Sequence, residues 1–246
     1  MDLLIIINYI YNMNKIINFG MMRGGQHAYI LWIINNQLDN SVLYYNNIRD
    51  ITNLDDRLIS KSDIRIKDIS SKLVNNFSDN HRIEIYSFES HLLNYDKIKK
   101  IEIELDSTKN YYSVIIRNPY NNFASLLKYI ENGGDSKYIK FLVDNEDEFI
   151  NIWLSLAYFI FKNKCVSILF EKFISDKNYR LKISKLLNLQ ITNNTLLQSN
   201  FGGGSSFNNK NYNERYIIYK KNLKMIKLLN NNHIKEVWLK IQTILN

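Results

Sequence analysis

A glycine-rich turn between a short apolar strand and a helical run constrains the fold of this chain more than any other feature. The turn, residues 20–25, follows an apolar run that ends at Phe19. Its glycines permit backbone angles that are closed to other residues. Apolar side chains then recur at helical spacing, at Ala28, Leu31, Trp32 and Ile34. A helix that begins after the turn directs free N–H groups and its positive dipole end into it, so the segment predicts an anion site.

The spacing of this turn is that of a phosphate-binding loop, with two departures. Gly20 and Gly25 match the outer glycines of G-x-x-x-x-G-K-[ST], but Gln26 replaces the lysine and His27 replaces the magnesium-binding hydroxyl. Arg23 lies inside the loop and supplies a cation, and a guanidinium can bind two phosphate oxygens at once. The loop therefore predicts phosphate binding without magnesium-nucleotide chemistry.

A second turn with polar groups follows the strand predicted at residues 112–116. Arg117 lies at the strand end, Asn118 can cap the next helix, and Pro119 suits the first helical position. Ser125 lies about two helical turns further on. An ordinary strand-to-helix turn explains the asparagine and the proline, but it does not explain the pairing of an arginine with a serine.

Another strand, predicted at residues 82–91 and so before the strand at 112–116, ends in side chains that can exchange protons. Its side chains alternate between two faces up to Phe88, and Glu89, Ser90 and His91 follow. Ligands bind at the strand ends of parallel α/β sheets. We therefore expect a carboxylate and an imidazole near the glycine-rich turn.

Together, these motifs resemble those of sulfotransferases that use 3′-phosphoadenosine 5′-phosphosulfate (PAPS). Residues 22–27 resemble the 5′-phosphosulfate loop of that family, although Gln26 and His27 replace its small hydroxyl residues. Residues 117–125 resemble its 3′-phosphate motif. A late glycine-serine loop, residues 201–207, resembles the loop with which many sulfotransferases close over the nucleotide.

The resemblance implies that the chain transfers a sulfuryl group from PAPS to a hydroxyl acceptor, without a metal. It assigns donor binding to Arg23, Gly24, Gly25, Gln26, His27, Ala28, Arg117, Ser125, Gly203, Gly204 and Ser205. Lys210 or Arg215 can add a cation near the late loop.

The resemblance also implies that the base is His91 or Glu89, because soluble members of the family use a histidine after a central strand and Golgi-type relatives use a glutamate. We favour His91, and we expect Arg23 to stabilise the charge on the leaving group as well as to bind the donor.

The order of elements and the resemblance imply a three-layer α/β/α fold with a central parallel sheet, like that of P-loop nucleotide hydrolases. We interpret residues 1–246 as a single domain. Within it, residues 1–12 are a non-essential extension and residues 39–80 are a polar insertion that shapes the acceptor site. The later elements predicted are helices at 149–160, 179–187, 216–229 and 234–245, and a strand at 166–170.

Charge and composition narrow the class of ligand. A net charge of +8 and a pI of about 9.3 suit an anionic partner, but the basic residues are scattered, which favours an anionic nucleotide over nucleic acid. The single Cys165 excludes an intramolecular disulfide, and the four histidines lack metal-ligand spacing.

The apolar residues 1–10 are too short to span a bilayer and lack the features of a signal peptide. We expect a soluble, cytoplasmic protein, and the oligomeric state stays open.

Two other functions remain open at this point. A P-loop kinase or nucleotide hydrolase would share the fold, but it needs a lysine at position 26 and a hydroxyl at position 27. A non-catalytic nucleotide-binding module would keep the fold and lose turnover. The acceptor is also open among a sugar hydroxyl, a small alcohol or phenol, and a protein tyrosine.

Overall fold

The computed structural model describes residues 14–36, 42–45, 48, 83–89, 96, 98, 101, 110–162, 165–189, 196 and 215–245. The strands in this part of the chain are β1 (Asn14–Gly20), β2 (Val42–Tyr45), β3 (Ile83–Glu89), β4 (Asn110–Ile116) and β5 (Val166–Leu169). Its α-helices are α1 (Gln26–Asn36), α2 (Pro119–Glu131), α3 (Lys137–Asp144), α4 (Glu146–Lys162), α5 (Phe170–Ser175), α6 (Lys177–Leu186), α7 (Leu223–Leu229) and α8 (Asn232–Leu245). A 3₁₀ helix spans Arg215–Tyr219.

The strands form one parallel sheet in the order β2-β3-β1-β4-β5. β1 lies at the centre, and its last residue, Gly20, is opposite Glu89 of β3 and Ile115 of β4. The prediction of a central parallel sheet is therefore confirmed. The register also confirms that Glu89 lies beside the glycine-rich turn.

Helices cover both faces of the sheet, as a parallel sheet requires. Alternate strand residues enter two apolar clusters. One cluster joins α1, α5 and α6 to strand residues that include Ile16, Ile85, Ile115 and Ile168. The other joins α2, α4 and α8 to strand residues that include Ile17, Phe88, Val114 and Leu169. Full burial of each such side chain contributes about 1.5–3 kcal/mol, so the three-layer arrangement predicted from the sequence is also the one that buries the apolar residues.

The cap predicted at Asn118 is confirmed, and Asp176 forms a second cap of the same kind. The side chain of Asn118 accepts hydrogen bonds from the N–H groups of Tyr120 and Asn121 at 3.0 and 3.1 Å, and Pro119 begins α2. Asp176 caps α6 in the same way. The first cap fixes the exit of β4, which carries Arg117.

One strand was not predicted, and two predicted elements have other bounds in the structure. Residues 42–45, assigned to a polar insertion, form the edge strand β2, which is too short to produce a clear periodic pattern. The strand predicted at 166–170 ends at Leu169, because Phe170 already begins α5. The helix predicted at 216–229 divides into the 3₁₀ helix and α7, since Asn222 caps a new helix by accepting from the backbone N–H groups of residues 224 and 225.

Candidate functional site

The glycine-rich turn is a tight loop with two left-handed residues. Gly24 donates a backbone hydrogen bond to the carbonyl of Met21 at 2.9 Å, and α1 begins at Gln26. Arg23 has φ of 60° and Gly25 has φ of 101°. A Cβ atom added to Gly25 would lie 1.9 Å from the ring of Phe170, so glycine is required here for its angle and for its size.

The loop after β1 and the motif after β4 meet through their arginines. Arg117 donates from Nη1 to the backbone carbonyl of Arg23 at 2.8 Å, although the two residues are 94 positions apart. Nε of Arg23 lies 3.4 Å from Oγ of Ser125 in a long hydrogen bond. Arg117 and Ser125 are each 3% exposed. The sheet thus brings three predicted donor-binding residues into one cluster, in which Arg117 and Ser125 are buried and Arg23 is half-buried.

A third arginine joins this cluster from the 3₁₀ helix. Arg215 is 4% exposed, and the next residue, Tyr216, is held on α2 by a hydrogen bond from its N–H to Oδ1 of Asn121 at 3.1 Å. Burial lowers the pKa of Arg23; the nearby Tyr129 raises it, and the positive charge of Arg215 lowers it further. Arg215 therefore lies close to Arg23. Lys210, the other cation considered for this region, lies outside the described residues.

The side chain of Arg117 is fixed on several sides. Its guanidinium lies 4.9 Å from the ring centre of Phe170, and its Nε lies 3.8 Å from Oε1 of Glu171. Its backbone carbonyl accepts a hydrogen bond from Nε1 of Trp153 at 2.9 Å. Arg117 is thus held in place before any ligand binds, which lowers the entropic cost of binding an anion.

Glu171 was not assigned a role from the sequence. It accepts from the N–H of Asn118 at 3.2 Å and faces Arg117, and its side chain is 12% exposed. Burial raises the pKa of Glu171, whereas the charge of Arg117 opposes this shift. The signal was its place directly after the strand predicted at 166–170, since polar groups at the ends of parallel strands meet at one edge of the sheet.

On the β3 side of the loop, Gln26 takes up the position of the P-loop lysine. Its Nε2 donates to Oγ of Ser87 and lies 3.4 Å from the carbonyl of Phe88, and the residue is 2% exposed. The Gln26 side chain is therefore bound to β3. Ala28, two residues on, is partly buried and packs against an apolar cluster.

His27 and Glu89 face each other at this edge. Nε2 of His27 lies 3.5 Å from Oε1 of Glu89, with the two side chains 24% and 8% exposed. Burial raises the pKa of Tyr44, and the nearby charge of Glu89 raises it further, so this phenol stays protonated beside the carboxylate. Of the other predicted site residues, His91, Gly203, Gly204 and Ser205 lie outside the described part of the chain.

The described residues contain neither a membrane-spanning helix nor a cluster of metal-ligating side chains. The helices seen there lack the length and apolar character needed to cross a bilayer. Within the same ranges, no three histidine, cysteine, aspartate or glutamate residues are grouped so that they could hold a metal ion.

Comparison with solved structures identifies the fold. Mouse sulfotransferase SULT7A1, complexed with PAP, aligns with a TM-score of 0.52 and 12% identity over 91% of this chain and 88% of its own. The sulfotransferase domain of the curacin biosynthetic pathway aligns with a TM-score of 0.46 and 12% identity, over 94% of this chain and 98% of its own. The sulfotransferase from Alicyclobacillus acidocaldarius aligns with a TM-score of 0.44 and 12% identity, over 76% of this chain and 87% of its own. No protein-family model matches the sequence, and no curated protein is significantly similar to it. On the first of these three alignments, the chain has the α/β fold of a sulfotransferase.

Proposed function

We propose that this protein binds PAPS and transfers its sulfuryl group to a hydroxyl acceptor. The observation that carries the proposal is the meeting of Arg23, Arg117 and Ser125, which come from two loops that each resemble a nucleotide-binding motif. Guanidinium groups and a hydroxyl form a set of donors suited to phosphate oxygens. The match in fold to a sulfotransferase complexed with PAP supports the same ligand class.

Each group has a part in this scheme. Arg117 and Ser125 bind the 3′-phosphate, and Arg215 adds charge to the same pocket. Arg23 and the N–H groups at the start of α1 bind the 5′-phosphosulfate. Gly203, Gly204 and Ser205 remain proposed contacts that close over the nucleotide, and residues 39–80 remain the proposed acceptor region.

Transfer of a sulfuryl group depends on position and charge more than on covalent help from the protein. The acceptor oxygen attacks sulfur as the bond to the phosphate oxygen breaks, so negative charge grows on the leaving nucleotide. Arg23 and the loop N–H groups stabilise that charge. Gln26 argues against a P-loop kinase. A kinase needs a lysine at this position that reaches the phosphates, whereas the side chain of Gln26 donates a hydrogen bond to Ser87 of β3.

Calorimetric titration with 3′,5′-adenosine bisphosphate (PAP) tests the donor site. PAP should bind without magnesium, and much more tightly than 5′-AMP or magnesium-ATP. Arg117→Ala should weaken PAP binding more than 5′-AMP binding, because only PAP carries the 3′-phosphate. A preference for magnesium-ATP, or no binding of PAP, would contradict the proposal.

Transfer from ³⁵S-labelled PAPS to a panel of phenols, alcohols and sugars then tests catalysis. Labelled products should form, and the panel identifies the acceptor class. Tight PAP binding with no labelled product from any acceptor or from water would instead identify a nucleotide-binding module without turnover.

A further inference from the structure

The pair formed by His27 and Glu89 is arranged like a base and the carboxylate that orients it. His27 lies in the first turn of α1, directly after the loop, and Glu89 is the last residue of β3. Their side chains approach to 3.5 Å, and the imidazole is the more exposed member, at 24% against 8%. The carboxylate therefore lies behind the imidazole, and the imidazole lies toward the solvent from which an acceptor must come.

We infer that His27 is the base that takes the proton from the acceptor hydroxyl, and that Glu89 positions it. This inference rests on the proposed sulfuryl transfer. A neutral imidazole has one N–H and one lone pair, and a carboxylate beside one nitrogen selects which of the two is protonated. With the N–H on Nε2, directed at Glu89, the lone pair is on Nδ1.

The step balances without any further reagent. The acceptor oxygen forms a bond to sulfur, the bond between sulfur and the 5′-phosphate oxygen breaks, and the hydroxyl proton passes to Nδ1 of His27. The products are a sulfate ester, PAP and an imidazolium beside the carboxylate of Glu89. The 3.5 Å separation is longer than a hydrogen bond, and catalytic contacts of this kind often shorten only when substrate is bound.

The position of the pair fits this role better than direct catalysis by Glu89. Glu89 is 7% exposed, and its Oε1 lies 3.5 Å from the more exposed imidazole of His27, so an acceptor that comes from solvent would meet the imidazole first. The register of β3 with β1 places both residues at the same edge as Gly20 and the loop. The base would thus lie next to the loop that holds the phosphosulfate.

The test compares His27→Gln with His91→Gln and with a matched control, His233→Gln. His233 is an exposed histidine of α8 whose Nε2 lies 2.7 Å from the hydroxyl oxygen of Tyr158, and it was not predicted as a site residue. PAP affinity is measured by calorimetry, and turnover is measured with ³⁵S-labelled PAPS, using water, 4-methylphenol and 4-nitrophenol as acceptors. We expect His27→Gln to keep PAP affinity within about threefold and to lose roughly 10²–10⁴-fold in transfer to 4-methylphenol, the usual contribution of a positioned base.

Two readouts separate a base from a structural residue. The loss should be much smaller with 4-nitrophenol, since this more acidic phenol is already ionised in large part near neutral pH, and the ionised form needs no base. Added imidazole should raise the transfer rate of His27→Ala at least about tenfold, because a free base can enter the space left by the ring. Glu89→Gln should lower kcat and leave PAP affinity unchanged, with partial recovery in Glu89→Asp.

The outcomes distinguish this inference from the proposed function. If His27→Gln retains turnover while His91→Gln loses it, the base is His91 and only this inference fails. If His27→Gln loses PAP affinity in proportion to turnover, His27 is a nucleotide contact and the inference also fails. If neither phenol is sulfated, the acceptor that the panel of phenols, alcohols and sugars identifies replaces 4-methylphenol in this comparison. If the wild-type protein binds PAP and transfers sulfate to no member of that panel and not to water, the proposed catalysis fails and the inference fails with it.

Discussion

The Nη1 atom of Arg117 lies 2.8 Å from the backbone carbonyl oxygen of Arg23, so the side chain of one motif holds the main chain of the other. We predict that Arg117→Lys weakens PAP binding by about 10- to 100-fold, since one charge-assisted hydrogen bond is worth about 1.5–3 kcal/mol. Lysine keeps the charge but lacks the fork that reaches the carbonyl and a phosphate together. Calorimetric titration with PAP measures the effect.

The matched control for that variant is Arg180→Lys. Arg180 is also buried, at 7% exposure, and it donates to the carbonyl oxygens of Phe173 and Ile174, outside the site. It should lose stability and keep PAP affinity. Equal losses of affinity in the two variants would mean that the effect of Arg117→Lys is a general loss of folding.

Ser125→Ala should weaken binding of PAP but not of 5′-AMP. Its hydroxyl lies 3.4 Å from Nε of Arg23, and a hydrogen bond to a charged phosphate contributes about 1.5–3 kcal/mol, so we expect roughly a 10- to 100-fold loss. Because 5′-AMP has no 3′-phosphate, the ratio of the two affinities isolates that contact. Ser155→Ala, a helix serine bonded to its own backbone, is the control and should change neither affinity. A parallel loss for both nucleotides in Ser125→Ala would refute the 3′-phosphate assignment.

Gly25→Ala should destabilise the protein far more than Gly133→Ala. Both glycines have positive φ, 101° and 81°, which costs a non-glycine residue about 1–3 kcal/mol. Only at Gly25 does the added methyl meet the ring of Phe170, and such overpacking costs about 1–3 kcal/mol more. A Cβ atom on Gly133 would have no neighbour within 4 Å. Urea unfolding of the two variants measures the difference, and similar losses would rule out the contact with Phe170.

The stability contributed by Glu171 should fall as the pH rises. Burial raises the pKa of this carboxyl in the folded protein, so the folded state binds its proton more tightly than the unfolded state does. Its contribution is therefore present below the unfolded pKa and is lost as the pH rises through the folded pKa. Glu171→Gln cannot ionise, so the wild type should lose stability relative to this variant as the pH rises from the ordinary carboxyl pKa, about 4.5, through the raised pKa of the folded protein. Urea unfolding at several pH values gives the comparison, and a difference that stays constant with pH would contradict it.

Local signals account for the parts of the site that were predicted. The glycine turn with its helix, and Arg117 with its capped helix, each lie within one short segment, where spacing alone fixes the geometry. The place of Glu89 beside the loop followed from a general property, namely that parallel strands end at one edge of a sheet. The register of Glu89 with Gly20 confirms it.

Contacts between distant segments account for the parts that were not predicted. The pairing of Glu171 with Asn118 and Arg117 depends on how β5 sits against β4, and no local pattern encodes that register. His27 and Glu89 were each named as candidates, but only the approach of α1 to β3 brings their side chains together. β2 was missed because its four residues gain their strand conformation from β3.

The central position of β1 has a consequence for the way this protein is made. β1 precedes both of its neighbours in the chain, so during synthesis it leaves the ribosome with two open edges and an apolar surface. Those edges stay open until β3 and β4 have followed, and unpaired edges of this kind promote aggregation. The strand that leads into the glycine-rich turn is therefore exposed early and for long, and low temperature should raise the yield of folded protein more than changes to the helical surface.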